Sequence, residues 1–416
     1  MRRVFSRQGL GYVMSLPDIA GEISVASVHR ERGDLRGEIA ISCGLPGTRS
    51  HDGQLHAGRM NLSSVTNRQA TAKYVAERAG DLGVDWRDLL EDFCARVLRA
   101  ERERRPVVRV GDRPQRIAPR FQVEPIIPFH RVTTLFGAPG SGKSTLAVAL
   151  GVSVQTGIVV VPGWRPTPTN VLYLDWETDE DDIDEKVKAI AAGAGIEDTV
   201  TFAYLACHGR SLADQLEYVV GAVQENAAGF VIVDSTIHAA GTSSSEGADA
   251  AETTLRLYTS FALLQATVVV IDHITKASAQ DPSRPATPYG SVFKEAMARQ
   301  AFEVRRADGA GDRSSIALYN TKASLDRRSA PIGLSVEQTT SRIVYRREDV
   351  TGDLLKPLSI ASQVEAVLRS GALHYNEIAE IVELDDHKVR AVLSRHKGTR
   401  FVQLGEGKWG LVRHAG

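Results

Sequence analysis

Gly137-Ala-Pro-Gly-Ser-Gly-Lys-Ser144-Thr145 decides how the rest of this chain is read. It satisfies each fixed position of the pattern G-x-x-x-x-G-K-[ST], and its flanks have the required character. An apolar extended run, Val132-Thr-Thr-Leu-Phe136, leads in, and the helical run Thr145-Leu-Ala-Val-Ala-Leu150 leads out. Strand, glycine loop and helix in that order make a cradle for phosphate. Glycines let the backbone wrap a phosphate closely, while successive N–H groups and the positive end of the helix meet its charge. The expected nucleotide contacts are Gly137, Ala138, Pro139, Gly140, Ser141, Gly142, Lys143, Ser144 and Thr145. Lys143 is suited to reach the β- and γ-phosphates, and the Ser144 hydroxyl to ligate Mg2+. A glycine-rich turn with a chance GKS is the bland alternative, and the flanks speak against it. The segment implies binding of a nucleoside triphosphate with Mg2+; ATP is the expected one, although the motif does not read the base.

Outward from the loop, residues 121 to 348 alternate β-rich and helical stretches. Strands are expected at Val132–Phe136, Asn170–Asp175, Val200–Ala203, Phe230–Asp234, Thr267–Asp272, Ala301–Val304, Ser315–Asn320 and Ile343–Arg346. Such alternation implies βαβ units, an α/β fold and a mostly parallel sheet with helices on both faces. Val231-Ile-Val233 and Val268-Val-Val-Ile271 are continuous apolar runs, as strands buried on both faces require. The lead-in Val123–His130 is expected to pack as a short arm before the first strand.

Two of these strands end in carboxylates. Phe230-Val-Ile-Val-Asp234 places Asp234 at the carboxyl edge of an open parallel sheet, beside the phosphate loop. There it can hold Mg2+ with Ser144, whereas a strand that merely ends in Asp is the alternative. Val171-Leu-Tyr-Leu-Asp175-Trp-Glu177 offers two further acids. Hydrolysis needs a carboxylate aimed at the γ-phosphate to polarise water. Glu177, just beyond the strand end, is favoured for that role, with Asp175 its competitor.

These features together resemble the RecA-like ATPases, and within them the plasmid RepA-type branch of hexameric replicative helicases, related to DnaB-type helicases and RadA-like recombinases. That branch shows a phosphate loop, V-L-Y-L-x-x-E, an apolar strand ending in Asp, another ending near His and Lys, and G-S in an Ala- and Arg-rich segment. Here the last two are Val268-Val-Val-Ile-Asp272-His273-Ile-Thr-Lys276 and Tyr289-Gly290-Ser291 through Arg299. The family often has two adjacent histidines, and here the first is Asp272. The resemblance implies that Glu177 is the catalytic glutamate. It implies that His273 is a sensor of the γ-phosphate, whose bland alternative is a polar cap on a strand. It further implies that the Pro- and Ser-rich run Ser278–Tyr289 is a mobile loop facing a ring channel, where Lys276, Arg284 or Lys294 touches DNA; a surface loop without a role is the alternative. Finally, it implies a basic finger delivered from a neighbouring subunit. Tyr319-Asn-Thr-Lys322-Ala-Ser-Leu-Asp-Arg327-Arg328 supplies Lys322 and Arg327 as candidates, against a solvated basic turn.

The flanking zones differ in legibility. Residues 1 to 120 read as an accessory α+β domain, with a strand at Glu38-Ile-Ala-Ile-Ser and helices over Asn67–Arg78 and Trp86–Arg99. Arg99–Pro106 is charged enough to touch nucleic acid, although a solvated helix end with Glu–Arg pairs fits better. From 357 to 416, helices at Leu358–Arg369, Tyr375–Val382 and Asp386–Arg395 precede a hairpin that turns at Gly405-Glu-Gly407. That outline is a winged helix-turn-helix. Its second helix would present Lys388, Arg390 and Arg395, followed by Lys397, to a DNA groove, over a buried face of Val389, Val392 and Leu393. Winged helices also serve as protein–protein modules, which is the alternative.

Global charge decides nothing about nucleic acid, since 50 Lys and Arg nearly balance 51 Asp and Glu for a net −1. Three scattered cysteines, Cys43, Cys94 and Cys207, give neither a disulfide framework nor a zinc site and fit a reducing cytoplasm. No signal peptide or membrane span is expected. With the family resemblance, the expectation is a cytoplasmic ATP-hydrolysing DNA motor; the resemblance implies a ring-forming helicase or translocase of a phage, plasmid or other mobile element, most simply a hexamer. Its rivals are a RadA-like recombinase or regulatory ATPase, and a transcriptional or defence switch built on the winged helix.

Overall fold

The structure is a computed structural model. It describes the chain except residues 32, 50–51, 104–119, 242–247, 276–277, 279–285, 287, 289–291, 310, 325–327 and 413–416, and the side chains of 248–250 and 292–293. The chain divides into two compact units, Met1–Ile117 with Leu216–Gln224, and Ala118–Gln215 with Glu225–Gly416.

The first unit is built on an antiparallel meander of β1 (Val4–Gln8), β2 (Gly11–Leu16), β3 (Gly21–Glu31), β4 (Asp34–Ser42) and β5 (Gln54–Asn61), adjacent in chain order. Alternate residues point inward: Tyr12, Met14 and Leu16 of β2, Ile23 and Val25 of β3, and Ile39 and Ile41 of β4 are buried. Helices α1 (Val65–Ala79) and α2 (Trp86–Arg102) share that core through Val75, Leu89, Leu90, Phe93 and Val97. Ser64 and Asp85 cap them, the Asp85 carboxylate accepting from the N–H groups of Arg87 and Asp88. The two helices stand close to where the sequence puts them. Four of the five strands were not expected. β1 is almost wholly exposed, and β3 loses its alternation at a bulge between Ala26 and His29.

The second unit holds a nine-stranded sheet. Its strands are β8 (Val132–Gly137), β10 (Asn170–Asp175), β11 (Ala203–Ala206), β12 (Ala228–Asp234), β13 (Thr267–His273), β14 (Gln300–Asp308), β15 (Arg313–Ala323), β16 (Ile332–Gln338) and β17 (Ile343–Glu348). The order is β11-β10-β12-β13-β8-β14-β15-β16-β17. Pairings from β11 to β14 are all parallel, and the last three are antiparallel. Mixed α/β architecture with a mostly parallel sheet thus stands. Helix α3 (Lys143–Thr156) is apolar all round, and Leu146–Val154 are buried without exception. A helix of that kind needs cover on every side. It shares a core with α4 (Glu180–Gly193) and with both halves of the sheet. The Val123–His130 lead-in forms β6 (Phe121–Glu124) and β7 (Ile127–Pro128), which join β9 (Arg165–Pro166) in a small sheet.

Two expectations need correction. The strand placed at Val200–Ala203 begins only at Ala203, where it pairs with Leu172, while Val200 and Phe202 pack on the core from the loop before it. β16 was not among the expected strands, and it holds Gly333, a residue type that more often marks a turn. Gly333 has another purpose: a Cβ there would lie 2.4 Å from the Glu348 carbonyl oxygen, so glycine admits the close approach of the next strand.

At the C-terminal end, helices Ile360–Leu368, Tyr375–Ile381 and Asp386–Arg395 precede β18 (Phe401–Gln403) and β19 (Trp409–Leu411), with a tight turn at Gly405–Gly407. Asp385 caps the third helix by accepting from the His387 N–H at 2.7 Å. Val364, Ile378, Val389, Leu393 and Phe401 form one core with Ala317 and Tyr319 of β15 and with Leu354 and Leu355. No helix among the described residues is long and apolar enough to cross a membrane.

Candidate active site

Sheet register gathers the functional residues. Asp175 pairs with Asp234 across β10 and β12, and His273 pairs with Gly137 across β13 and β8. The phosphate loop and the acids therefore share the carboxyl edge of the sheet, where open α/β sheets bind ligands.

The loop's glycines answer to different constraints. Gly140 and Gly142 have φ of +74° and +86°, a region costly for any residue with a Cβ. Gly137 is fixed by space: a Cβ would lie 2.2 Å from the Val304 carbonyl oxygen of β14. Gly142 also caps α3 without a side chain, leaving the N–H groups of the first turn free for an anion. Ser144 and Thr145 lie in that turn. Lys143 is 4% exposed, and its ammonium donates to the carbonyls of Gly137 at 3.1 Å and Ala138 at 2.7 Å, and to Ser141 Oγ at 3.3 Å. Burial lowers its pKa, while Asp234, Glu177 and Asp272 pull it back. A polyphosphate offers the compensating charge such a lysine requires.

Asp234 is 2% exposed, and the Tyr173 hydroxyl donates to its Oδ2 at 2.7 Å. Burial raises its pKa, against the hydroxyls of Tyr173 and Ser144. Its Oδ1 is buried with no hydrogen-bond partner among the described residues. An orphaned carboxylate oxygen beside the Ser144 hydroxyl fits a hard divalent cation with oxygen ligands, as Mg2+ is. Ser144 and Asp234 are the residues that would hold it.

The two competing acids separate clearly. Asp175 is consumed by structure: Oδ1 accepts from the N–H groups of Glu177 and Thr178 at 2.9 and 3.0 Å, and Oδ2 from the hydroxyls of Thr178 and Tyr204 at 2.6 and 3.2 Å. Glu177 projects into the site. Its Oε1 meets His273 Nε2 at 3.2 Å and His238 Nδ1 at 3.5 Å, and accepts a hydrogen bond from the Ser235 hydroxyl. His273 above all, with Ser235, holds the Glu177 carboxyl down to about 2 against the opposing effect of burial. Nδ1 of His273 is buried and without a partner among the described residues.

Other expected residues sit elsewhere. Lys294, a candidate DNA contact, is buried in an ion pair with Asp272 at 3.0 Å and cannot touch a phosphate from there. Asp272, standing where the family often has a histidine, is thereby a structural counter-ion. Lys322 does not project free. Its ammonium donates to the carbonyls of Glu295, at 2.7 Å, and Ala296, capping the helix Val292–Met297. Arg327, Lys276, Arg284, Gly290 and Ser291 lie outside the described residues. Lys388, Arg390, Arg395 and Lys397 are all exposed, with Val389 and Leu393 buried beneath them. Arg390 stacks on Tyr375, 3.6 Å from the ring centroid, and Lys397 bonds Gln403 at 3.0 Å.

Sequence reading missed Tyr173, Ser235 and His238. Tyr173 carried a signal, since a tyrosine within a fully apolar strand must find a partner for its hydroxyl. Ser235 and His238 carried none, because their roles depend on a residue 58 positions away from Ser235.

Residues 99–279 match the model of a family described as an AAA domain. No curated protein matches the chain. Among solved structures, a KaiC-like protein from the hyperthermophilic archaeon Pyrococcus horikoshii OT3 is similar, at 16% identity over 54% of this chain and 93% of that one, with a TM-score of 0.38. The matched residues span the phosphate loop and strands β8, β10, β11, β12 and β13, a core similar to that of an AAA-type ATPase. Within that core, Lys143, Ser144, Asp234 and Glu177 surround one position at the sheet edge.

Proposed function

We propose that the chain is an ATP-driven motor on DNA, a ring-forming helicase or translocase of the RepA type, with its C-terminal segment acting as a winged-helix reader. The observation that carries this is the helix Asp386–Arg395. It exposes Lys388, Arg390 and Arg395 while its buried face shares a core with β15 of the ATPase sheet. A basic helix anchored in that way would tie a DNA contact to the sheet that also carries the phosphate loop.

In hydrolysis the α3 N-terminus and Lys143 bind the phosphates, and Ser144 and Asp234 would hold Mg2+. The metal, when bound, neutralises charge on the phosphate oxygens. Glu177 accepts the proton of the attacking water, and His273, bonded to Glu177, senses the γ-phosphate and relays its state to the chain after β13. A neighbouring subunit in the ring delivers Arg327 as a cationic finger, and Lys276 contacts DNA in the channel. The test is DNA-stimulated, concentration-dependent ATP turnover by the full chain.

One observation favours a second reading. Lys322 is spent within its own subunit on the Glu295 and Ala296 carbonyls, which suits a switch ATPase that needs no neighbour. Such a protein would turn over slowly, independently of concentration, and would prefer duplex DNA of particular sequence.

A further inference from the structure

Among the described residues, three side chains make polar contacts to the Glu177 carboxylate, and all three converge on one oxygen. Oε1 accepts from the Ser235 hydroxyl and faces His273 Nε2 at 3.2 Å and His238 Nδ1 at 3.5 Å. No described residue donates to Oε2, and Glu177 opens to solvent. A carboxylate tethered through one oxygen has its remaining lone pairs aimed in a fixed direction.

The tether comes from the chain just after β12, the strand that ends in Asp234. Ser235 directly follows Asp234, and His238 lies in the short helix Thr236–Ala239 that comes next. Ser235 is fully buried, and the backbone of β10 is fastened to the same point, since the Trp176 N–H donates to the Asp234 carbonyl at 2.7 Å. The Glu177 N–H is pinned in turn by Asp175 Oδ1. Backbone and side chain of Glu177 are thus both referred to the end of β12, where Asp234 would hold Mg2+.

We infer that Ser235 and His238 are positioning residues that aim Oε2 of Glu177 at the attacking water. This rests on the reading of Glu177 as the base. In the step they serve, the water oxygen bonds to the γ-phosphorus and the β–γ bridging P–O bond breaks. Its electron pair leaves with ADP, and the water proton passes to Oε2. Neither positioning residue exchanges a proton. A carboxylate free to rotate samples the productive direction only part of the time, and a misplacement of about 1 Å can cost about a hundredfold in rate.

The test compares Ser235→Ala, His238→Ala, His238→Asn and Glu177→Gln in steady-state ATP turnover, with nucleotide affinity measured separately using a fluorescent ATP analogue. Ser235→Ala is expected to lower kcat about tenfold or more with KM and analogue affinity unchanged. His238→Ala should do the same more weakly, and His238→Asn, which keeps a donor near the place of Nδ1, should recover most of the loss. His238 is 51% exposed, so its variants fold whatever becomes of Ser235→Ala. Inactive Glu177→Gln beside wild-type kcat in Ser235→Ala and His238→Ala overturns the inference and leaves the base reading intact. Full turnover in Glu177→Gln overturns both. A His238→Ala loss that appears in KM, or that Asn fails to recover, assigns a structural role and also overturns the inference.

Discussion

Replacing Tyr173 by Phe removes one hydroxyl from the least exposed part of the site. Tyr173 is fully buried, and its hydroxyl is the donor to Asp234 Oδ2 at 2.7 Å, on a carboxylate whose Oδ1 has no hydrogen-bond partner among the described residues. Hydrogen bonds to charged groups contribute about 1.5–3 kcal/mol, and a deserted buried acceptor has no water to turn to. Tyr173→Phe should therefore lose about 2 kcal/mol of stability at neutral pH. The pH dependence follows from Asp234, whose folded pKa burial holds above the ordinary 3.8. An acid raised in the folded state contributes stability at low pH that is lost as the pH climbs through its folded pKa. Without Tyr173 that pKa rises further, so the deficit of the variant is greatest near neutrality and shrinks on acidification. Urea denaturation followed by tryptophan fluorescence, at about pH 7 and about pH 5, reads both effects. Because protons and Mg2+ compete for the same carboxylate, the Mg2+ midpoint of turnover should also rise. Wild-type stability in the variant, or an equal deficit at both pH values, would refute the reasoning.

Three further outcomes are expected. Gly137→Ala drives a methyl against the Val304 carbonyl at 2.2 Å, so it should destabilise the ATPase core by about 3 kcal/mol, seen as a lowered urea midpoint. Lys294→Ala strands the fully buried Asp272 and should cost about 3–5 kcal/mol, while the paired change Lys294→Met with Asp272→Leu recovers most of it in the same assay. Lys388→Ala with Arg395→Ala should weaken DNA binding at every sequence and lower the slope of log affinity against log salt by about 2, measured by fluorescence anisotropy.

The nucleotide-binding half of this molecule was open to reading because its signals are local. A phosphate loop is contiguous, and the continuous apolar runs of β12 and β13 announce strands buried on both faces, which they are. The choice between Asp175 and Glu177 was less local. It turns on Thr178 and Tyr204 saturating Asp175, and only Thr178 lies nearby in sequence. The surroundings of Lys294 and Lys322 were not legible for one reason: a lysine in a basic, polar stretch reads as available, and only the fold brings Asp272 and the carbonyls of Glu295 and Ala296 to it. Most of the N-terminal meander escaped notice because its edge strand buries little and a bulge breaks the alternation of β3. The three C-terminal helices were legible through their apolar spacing, and Asp385 caps the last of them.

The most direct measurement is ATP turnover by the full chain across a range of protein concentrations, with and without single-stranded DNA, for wild type and Glu177→Gln. Wild-type turnover per subunit should rise with concentration and again with DNA. Glu177→Gln should still bind ATP while its turnover falls by about a hundredfold to ten-thousandfold. Turnover indifferent to both concentration and DNA would contradict the motor, and an active Glu177→Gln would contradict the site.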